Sequence, residues 1–287
     1  MLFIYGLIFF TASYLCCNEL FFHTNTGKAL INKYGLTRGI AMEISNKYVS
    51  AIQALFCCIT GLTSTCYSCS RDMLHTSHYI SEAYAWFGAA YFLYDIWSMY
   101  DVQIAFDKAD HVAELTNGNT ENAHTKNHVE YKVPLWQSIL HFLKINPVIV
   151  GHHIFIGGFG FLVMTYYRGN LGDCFFGFIF LMEASTPFVS FRSIISKTGF
   201  KNSRCYVVNG LLMMGSFFVF RVLMWPLVIL LYSYSVNLSY LEAIESLPRG
   251  CKISILILML PQLYWFTLIV KGATQFGKTK DKKKKVA

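Results

Sequence analysis

Charged side chains are scarce in this sequence. Only 14% of its 287 residues are Asp, Glu, Lys or Arg, whereas 54% are hydrophobic. A soluble domain carries about 25% charged residues, so this chain has too few to cover a globular surface. Its apolar residues also fall in blocks of roughly 20, the length that crosses a bilayer as a helix. The sequence therefore predicts an all-α, polytopic integral membrane protein with a helical bundle.

The cysteine pattern lacks a metal or disulfide signature. Four of the nine cysteines lie in apolar runs, where cysteine acts as a small hydrophobic residue: Cys16, Cys17, Cys57 and Cys58. Cys66 and Cys69 form a C-x2-C pair, but a structural zinc site needs a second pair at suitable spacing. We expect no metal, no bound cofactor and no disulfide framework.

Seven apolar segments are candidate membrane spans: 2–21, 48–67, 79–100, 147–167, 171–191, 206–235 and 253–271. The sixth is long for one crossing and contains Pro226, which predicts a tilt or kink, with two half-helices as the alternative. No basic segment precedes the first span and no small-residue cleavage site follows it. We expect this span to remain as an anchor rather than to be cleaved as a signal peptide.

The distribution of basic residues predicts the orientation of these spans. Most of the 24 Lys and Arg residues fall in segments 23–47, 101–146, 192–204 and 271–287. Under the seven-span arrangement these segments share one side, which the positive-inside rule makes cytosolic. We therefore expect a lumenal N-terminus and a cytosolic C-terminus. The net charge of +8 follows this membrane pattern and does not indicate a nucleic-acid partner.

Two short motifs agree with this orientation. Asn237 begins the N-x-[ST] sequon, which the arrangement places in a lumenal loop, so Asn237 is a candidate glycosylation site. Lys284 and Lys285 stand fourth and third from the C-terminus, as in the dilysine signal that cytosolic coat proteins read for retrieval to the endoplasmic reticulum. The alternative is a basic tail that binds anionic lipid.

The long loop 101–146 contains one amphipathic segment. Its stretch from Asp107 to Lys132 is polar, and we expect it to be partly disordered. Residues 135–144 then place five apolar side chains on one helical face, which predicts a helix at the cytosolic interface. Asn146 is expected to cap the fourth span, which starts at Pro147.

Few ionisable groups lie inside the spans, where such groups usually face a cavity or a partner. They are Glu82, Asp95, His152, His153, Asp173, Glu183 and Arg221. At 1.5 Å per residue, Asp95, His152 and His153 fall roughly 8–9 Å from the cytosolic edge and Glu183 roughly 12 Å. These four residues are therefore the candidate catalytic set.

Histidine can accept and return a proton near neutral pH, and a nearby carboxylate can orient its ring. Adjacent histidines point about 100° apart, so we expect different roles for His152 and His153. Tyr91 and Tyr94 share a helical face with Asp95 and are candidate phenol donors. A histidine–carboxylate pair that only locks helices together, and a metal site, are the alternatives.

Two further groups of span residues have structural interpretations. Arg221 is expected to form an ion pair with Asp173 or another acid on the lumenal side. The glycines that follow the histidines, Gly157, Gly158 and Gly160, leave room for a close neighbour or an acyl chain.

Three motifs together resemble the TLC-domain family. They are GHHIFIGG (151–158), YFLYD (91–95) one span earlier, and EASTPF (183–188) one span later. This family includes translocation-associated membrane proteins, ceramide synthases and relatives of a neuronal ceroid lipofuscinosis protein. The resemblance covers roughly residues 45–275 and is closest to the branch called TLC domain-containing protein 3. It implies a six-helix TLC core at 45–275, preceded by an N-terminal anchor and cytosolic loop at 1–44 and followed by a basic tail at 276–287.

In ceramide synthases the paired histidines are required to transfer an acyl chain from acyl-CoA to a sphingoid amine, and His152 and His153 match that pair. The resemblance implies sphingolipid metabolism in the endoplasmic reticulum, with membrane lipids, a sphingoid base and acyl-CoA as partners and a homo- or heterodimer left open. This chain lacks the second His-Asp pair that follows in ceramide synthases. A lipid-sensing or cargo-binding protein without catalysis is therefore the alternative.

Overall fold

Most of the described part of the chain is helical. The structure is a computed structural model that describes residues 1–117 and 133–286, with side chains described for 1–113 and 133–275. Within these ranges no residue belongs to a β-strand. Of the segment Asp107–Lys132, in which we expect partial disorder, residues 118–132 lie outside the described ranges. The side chains of Lys284 and Lys285 also lie outside them, so the retrieval signal remains a prediction.

The described residues form ten helices. In chain order they are α1 (Leu2–His23), α2 (Asn25–Tyr34), α3 (Arg38–Ser68), α4 (Tyr79–Asn117), α5 (Leu135–Ile145), α6 (Pro147–Tyr167), α7 (Asp173–Lys197), α8 (Arg204–Val236), α9 (Tyr240–Ser246) and α10 (Arg249–Val286).

Six of these helices are long and apolar enough to cross a membrane: α1, α3, α6, α7, α8 and the Arg249–Gln275 part of α10, as found among the described residues. The polytopic all-α prediction is thus confirmed. The remaining predicted span, 79–100, which is third in chain order, is helical as the first part of α4. However, α4 is not among these six helices. Its tyrosines and its acidic residues Glu82 and Asp95 lower the mean hydropathy of that segment.

Three spans contain non-α turns. In α8 the π-helical segment Phe218–Leu223 lies just before Pro226, whose ring lacks the N–H that would close an α-turn. The predicted irregularity at this proline is therefore present within one continuous helix rather than between two half-helices. In α6, π-helical turns at Phe155–Gly160 and Val163–Tyr167 follow the two histidines. In α7, the 3₁₀ turn Met182–Ser185 precedes Pro187.

Helix packing divides the chain into two compact units. The first unit comprises residues 1–50 and 85–167, and the second comprises 51–84 and 168–287. Aromatic rings from α1 and α4 form the core of the first unit, with Phe10 and Tyr14 of α1 fully buried. In the second unit, Trp225, Phe175 and Met224 pack in one apolar cluster.

Close backbone packing in the second unit depends on two glycines. A Cβ atom at Gly61 would lie 2.7 Å from the Gly177 carbonyl oxygen, and one at Gly177 would lie 2.9 Å from the Thr65 backbone nitrogen. Helices α3 and α7 therefore approach here more closely than larger residues allow, as is common in membrane helix packing.

A disulfide joins Cys69 and Cys174 in the second unit, although the cysteine pattern gave no disulfide signature. The two residues are 105 positions apart in sequence, and no spacing rule links them. Their proximity arises because the segment after α3 is held against the start of α7: the Asp173 carboxylate accepts hydrogen bonds from the His78 backbone N–H and from Arg168. The Asp173 N–H in turn donates to the Thr76 carbonyl.

Replacing Cys69 with serine is expected to lower the thermal midpoint of the detergent-solubilised protein. Loss of a native disulfide that closes a long loop costs about 2–5 kcal/mol. Cys66→Ser is the matched control, because Cys66 is an exposed free cysteine three residues away. Equal midpoints for the two variants would contradict a stabilising role for the Cys69–Cys174 disulfide.

Helix α5 confirms the predicted amphipathic helix, and it contacts the rest of the first unit through its more polar side. Ser138 and Phe142 are buried. The Tyr100 hydroxyl donates to Ser138 Oγ at 3.3 Å, and the Tyr100 ring lies 5.6 Å from the Phe142 ring. The predicted apolar face, which includes Leu135 and Trp136, is exposed, as expected for a helix that rests in a lipid interface.

Asn146 occupies the N-cap position of α6 as predicted, but the expected capping bond is not formed. Its side chain makes no capping bond to α6 and instead donates to the Phe142 carbonyl at the end of α5. Pro147 does occupy the first turn of α6, where its missing N–H costs nothing.

Candidate functional site

Three of the four predicted site residues lie together in the first unit. His152 and His153 are in the second turn of α6, and Asp95 is in α4. The Nε2 atom of His153 lies 2.8 Å from Oδ2 of Asp95. Both side chains are deeply buried, with exposed fractions of 7% and 8%. Asp95 is therefore the carboxylate that contacts the histidine pair.

The second ring nitrogen of His153 is also engaged. Its Nδ1 lies 2.7 Å from the Ile149 carbonyl oxygen, one turn earlier in α6. A carbonyl oxygen can only accept, so Nδ1 carries a hydrogen. A further proton must lie between Nε2 and the Asp95 carboxyl group for that contact to be a hydrogen bond. While these bonds hold, His153 has no ring nitrogen left to take a proton from a substrate.

His152 has a different environment. Its side chain is partly exposed. Its ring centroid lies 5.8 Å from that of His153, and the two ring planes are nearly perpendicular, at 89°. The different roles expected for adjacent histidines are therefore reflected in the geometry: His153 is held by Asp95 and the backbone, and His152 is the one that solvent or lipid can reach.

Aromatic and hydroxyl side chains surround the His153–Asp95 pair. The rings of Phe92 and Tyr91 lie 5.6 Å and 6.4 Å from the His153 ring. The Tyr91 hydroxyl donates to Ser50 Oγ at 3.0 Å, and Ser50 Oγ donates to the Asn46 carbonyl at 3.0 Å. The phenol donor predicted at Tyr91 thus orients towards α3. The tyrosine and the serine fix the wall beside the histidine.

The glycines after the histidines differ from one another. A Cβ atom at Gly157 would lie 2.7 Å from Phe92 Cβ, so this glycine accommodates a close neighbour as predicted. A Cβ at Gly158 would meet nothing within 4 Å. The side of α6 that contains Gly158 therefore has open space beside it.

Glu183 lies in the second unit, where its partner is Arg221 at 3.3 Å. Thr186 Oγ1 also donates to Glu183, at 2.5 Å. Arg221 also donates to Ser185 Oγ at 2.8 Å, to Thr186 Oγ1 at 3.0 Å and to Gln262 Oε1 at 3.3 Å. These bonds link α7, α8 and α10.

Arg221 thus forms the ion pair that was expected of it, but its partner is Glu183 rather than Asp173 or another acid on the lumenal side. Asp173 pairs instead with Arg168, five residues earlier. The 3₁₀ turn of α7 and the π-helical turn of α8 contain Glu183 and Arg221, respectively. Depth estimates that assume regular helices cannot take account of such turns.

The residues around the His153–Asp95 pair do not form a metal site. Among residues 1–113 and 133–275, no three His, Cys, Asp or Glu side chains converge as metal ligands would.

Sequence reasoning missed Asn46 and Ser50 as neighbours of the site. They lie four residues apart on α3 and are both buried, and this i, i+4 polar pair at the start of the second predicted span was an available signal.

Outside the spans, the segment between α3 and α4 contains an exposed polar contact. The His75 ring lies 2.9 Å from the Asp72 carboxylate, and the Leu74 and His75 backbone N–H groups also donate to it. The hydrogen bond from His75 holds the pKa of Asp72 below its ordinary value. This contact orders the turn next to Cys69. Asn237, the predicted glycosylation site, is exposed in the short turn between α8 and α9.

The helices and the buried pair define a class: a polytopic membrane protein with a buried histidine–carboxylate pair between two of its helices. A comparison with protein families matches the TLC domain to residues 43–271. The chain therefore belongs to the TLC-domain family, whose members are membrane proteins with lipid-related functions. No solved structure matches the chain significantly.

Proposed function

We propose that the protein N-acylates a sphingoid base with acyl-CoA to give ceramide. The observation that carries this proposal is the arrangement of the two histidines: His153 is fixed by Asp95 and the Ile149 carbonyl, and the adjacent His152 is partly exposed. A buried pair that holds its neighbour in place is typical of acid–base sites, in which one group reacts and others orient it. TLC-domain membership supports a lipid substrate.

In this mechanism His152 is the general base. The sphingoid amine attacks the thioester carbonyl carbon of acyl-CoA, so that a C–N bond forms and the C–S bond breaks. The amine proton passes to His152, and the departing CoA thiolate takes up a proton, which the protonated His152 can supply. A second route places the acyl group on His152 first and transfers it to the amine next. His153 and Asp95 position the reacting ring in both routes.

We propose that the protein resides in the endoplasmic-reticulum membrane with a lumenal N-terminus and a cytosolic C-terminus. The basic segments support this orientation. The Cys69–Cys174 disulfide supports it independently, because disulfides form in oxidising compartments. Cys69 follows the span 48–67 on the side assigned to the lumen, and Cys174 lies at the lumenal end of the span 171–191. Lys284 and Lys285 would be read by cytosolic coat proteins. Acyl-CoA would then reach the site from the cytosolic side.

The second candidate is a lipid-sensing, lipid-homeostasis or cargo-binding protein without turnover. One feature of the sequence favours it. After the histidines the chain reads YYRGNLGD (166–173), without the second His-Asp pair that ceramide synthases carry. In this alternative the same residues would hold a lipid head group, and His152 would donate or accept a hydrogen bond without a transfer reaction.

Expression in cells that lack their own ceramide-forming enzymes distinguishes the two candidates. We expect wild-type protein to restore ceramide formation from a supplied labelled sphingoid base, as measured by mass spectrometry. The variant His152→Ala, which we expect to be inactive but folded, is the control. If wild-type and control cells contain the same background amount of ceramide at equal protein level, the acyltransferase proposal is wrong and the binding function replaces it.

A further inference from the structure

The N-terminal helix α1 packs directly on the α4 residues that surround the His153–Asp95 pair, although it lies outside the residues matched to the TLC domain. Its buried residues recur every fourth position: Gly6, Phe10, Tyr14 and Asn18. This spacing gives α1 one face turned towards the first unit. The other faces of α1 carry exposed apolar residues, as expected for a helix in lipid.

Three contacts fix the position of α1 along α4. A Cβ atom at Gly6 would collide with the Phe87 carbonyl oxygen, so the two backbones meet there without room for a side chain. At the other end the Tyr14 hydroxyl donates to Asp101 at 3.1 Å. Between them, Phe10 is completely buried. The helix is therefore held in one register rather than packed loosely.

Phe10 completes an aromatic triangle with two residues of the site. Its ring centroid lies 5.4 Å from Tyr91 and 6.1 Å from Tyr94, and the two tyrosines are 6.0 Å apart. Tyr94 directly precedes Asp95, and Tyr91 lies 6.4 Å from His153. The ring of Tyr14 also packs against that of Tyr94, at 6.0 Å. The α1 rings thus support the wall from which Asp95 reaches His153.

We infer that α1 belongs to the site, and that Phe10 and Tyr14 are positioning residues for the His153–Asp95 pair. Dense packing leaves the two tyrosines one arrangement while Phe10 is present. Without the Phe10 ring, Tyr91 and Tyr94 gain space, and the Asp95 carboxyl group loses the constraint that sets its distance to Nε2. The consequence for catalysis rests on the proposed acyl transfer, whereas the consequence for the pair itself does not.

The test replaces Phe10 with alanine in the full-length protein and observes the His153–Asp95 hydrogen bond by proton NMR in nanodiscs. In wild type we expect a downfield N–H resonance, which is assigned by its absence in Asp95→Asn. This resonance should disappear in Phe10→Ala and return at least in part in Phe10→Leu. Ceramide formation per folded protein should fall by on the order of 10-fold to 100-fold in Phe10→Ala, since small displacements of reacting groups are costly.

Tyr5→Ala is the matched control, because Tyr5 is an aromatic residue of the same helix that is 61% exposed. An unchanged resonance in folded Phe10→Ala, or an equal loss in Tyr5→Ala, would overturn the inference. If Phe10→Ala does not fold, Tyr14→Phe replaces it as the test, because it removes only the hydroxyl that bonds Asp101. An unchanged downfield resonance in folded Tyr14→Phe would then overturn the inference. If wild type forms no ceramide, the proposed function fails and the NMR comparison still decides the role of α1.

Discussion

Replacing His152 with alanine is expected to lower ceramide formation by on the order of 100-fold or more, with little change in the amount of folded protein. Loss of a general base typically costs 10²-fold to 10⁴-fold in rate. The side chain of His152 is partly exposed, so its removal leaves no large buried cavity. Both quantities are measured on the same preparation, with product followed by mass spectrometry and folded protein by size-exclusion chromatography.

The neighbouring residue Ile154 provides the control for this variant. It lies on the same helix and is 61% exposed, so Ile154→Ala should leave both folded protein and ceramide formation close to wild type. A folded His152→Ala variant that forms ceramide at the wild-type rate would exclude His152 as the reacting residue. Equal losses in Ile154→Ala would show that the effect is not specific to the imidazole.

Replacing His153 with alanine is expected to act mainly on stability. The Asp95 carboxyl group would remain buried without the partner it has at 2.8 Å. Breaking a buried ion pair by removing one member costs about 3–5 kcal/mol. We therefore expect a clearly lower thermal midpoint and less folded protein in detergent, as measured by thermal unfolding.

The double variant His153→Phe with Asp95→Leu separates stability from activity. Apolar replacement of a whole buried pair is often neutral or stabilising, so this variant should regain most of the stability that His153→Ala loses. It should remain inactive, because nothing then orients His152. A double variant as unstable as His153→Ala would argue against an isolated pair, and an active double variant would remove the pair from the mechanism.

Hydropathy and charge predicted the membrane class of this chain because lipid imposes strong constraints on sequence. Blocks of about 20 apolar residues are hard to explain otherwise, and the span predicted at 147–167 coincides with α6. The segment 79–100 was harder, because its tyrosine, tryptophan and acidic residues lower its mean hydropathy. Three of them, Tyr91, Tyr94 and Asp95, are buried in the first unit rather than exposed.

The candidate site was only partly predictable from sequence. Asp95 and His153 were proposed as neighbours from depth alone, and they do pair. Depth also grouped Glu183 with them, but it cannot show which way a side chain points. Glu183 binds Arg221, and both residues lie in turns that are not α-helical. The Cys69–Cys174 disulfide depends on tertiary contacts across 105 positions, which no local pattern encodes.

Incubation of purified wild-type protein in nanodiscs with isotope-labelled acyl-CoA and a sphingoid base tests the proposed acyl transfer most directly. Mass spectrometry then measures labelled ceramide and released CoA. We predict equal amounts of the two products, at a rate well above empty nanodiscs and above the His152→Ala variant. Folded wild-type protein that forms no labelled ceramide above empty nanodiscs, or that forms it as fast as His152→Ala does, would contradict the central claim.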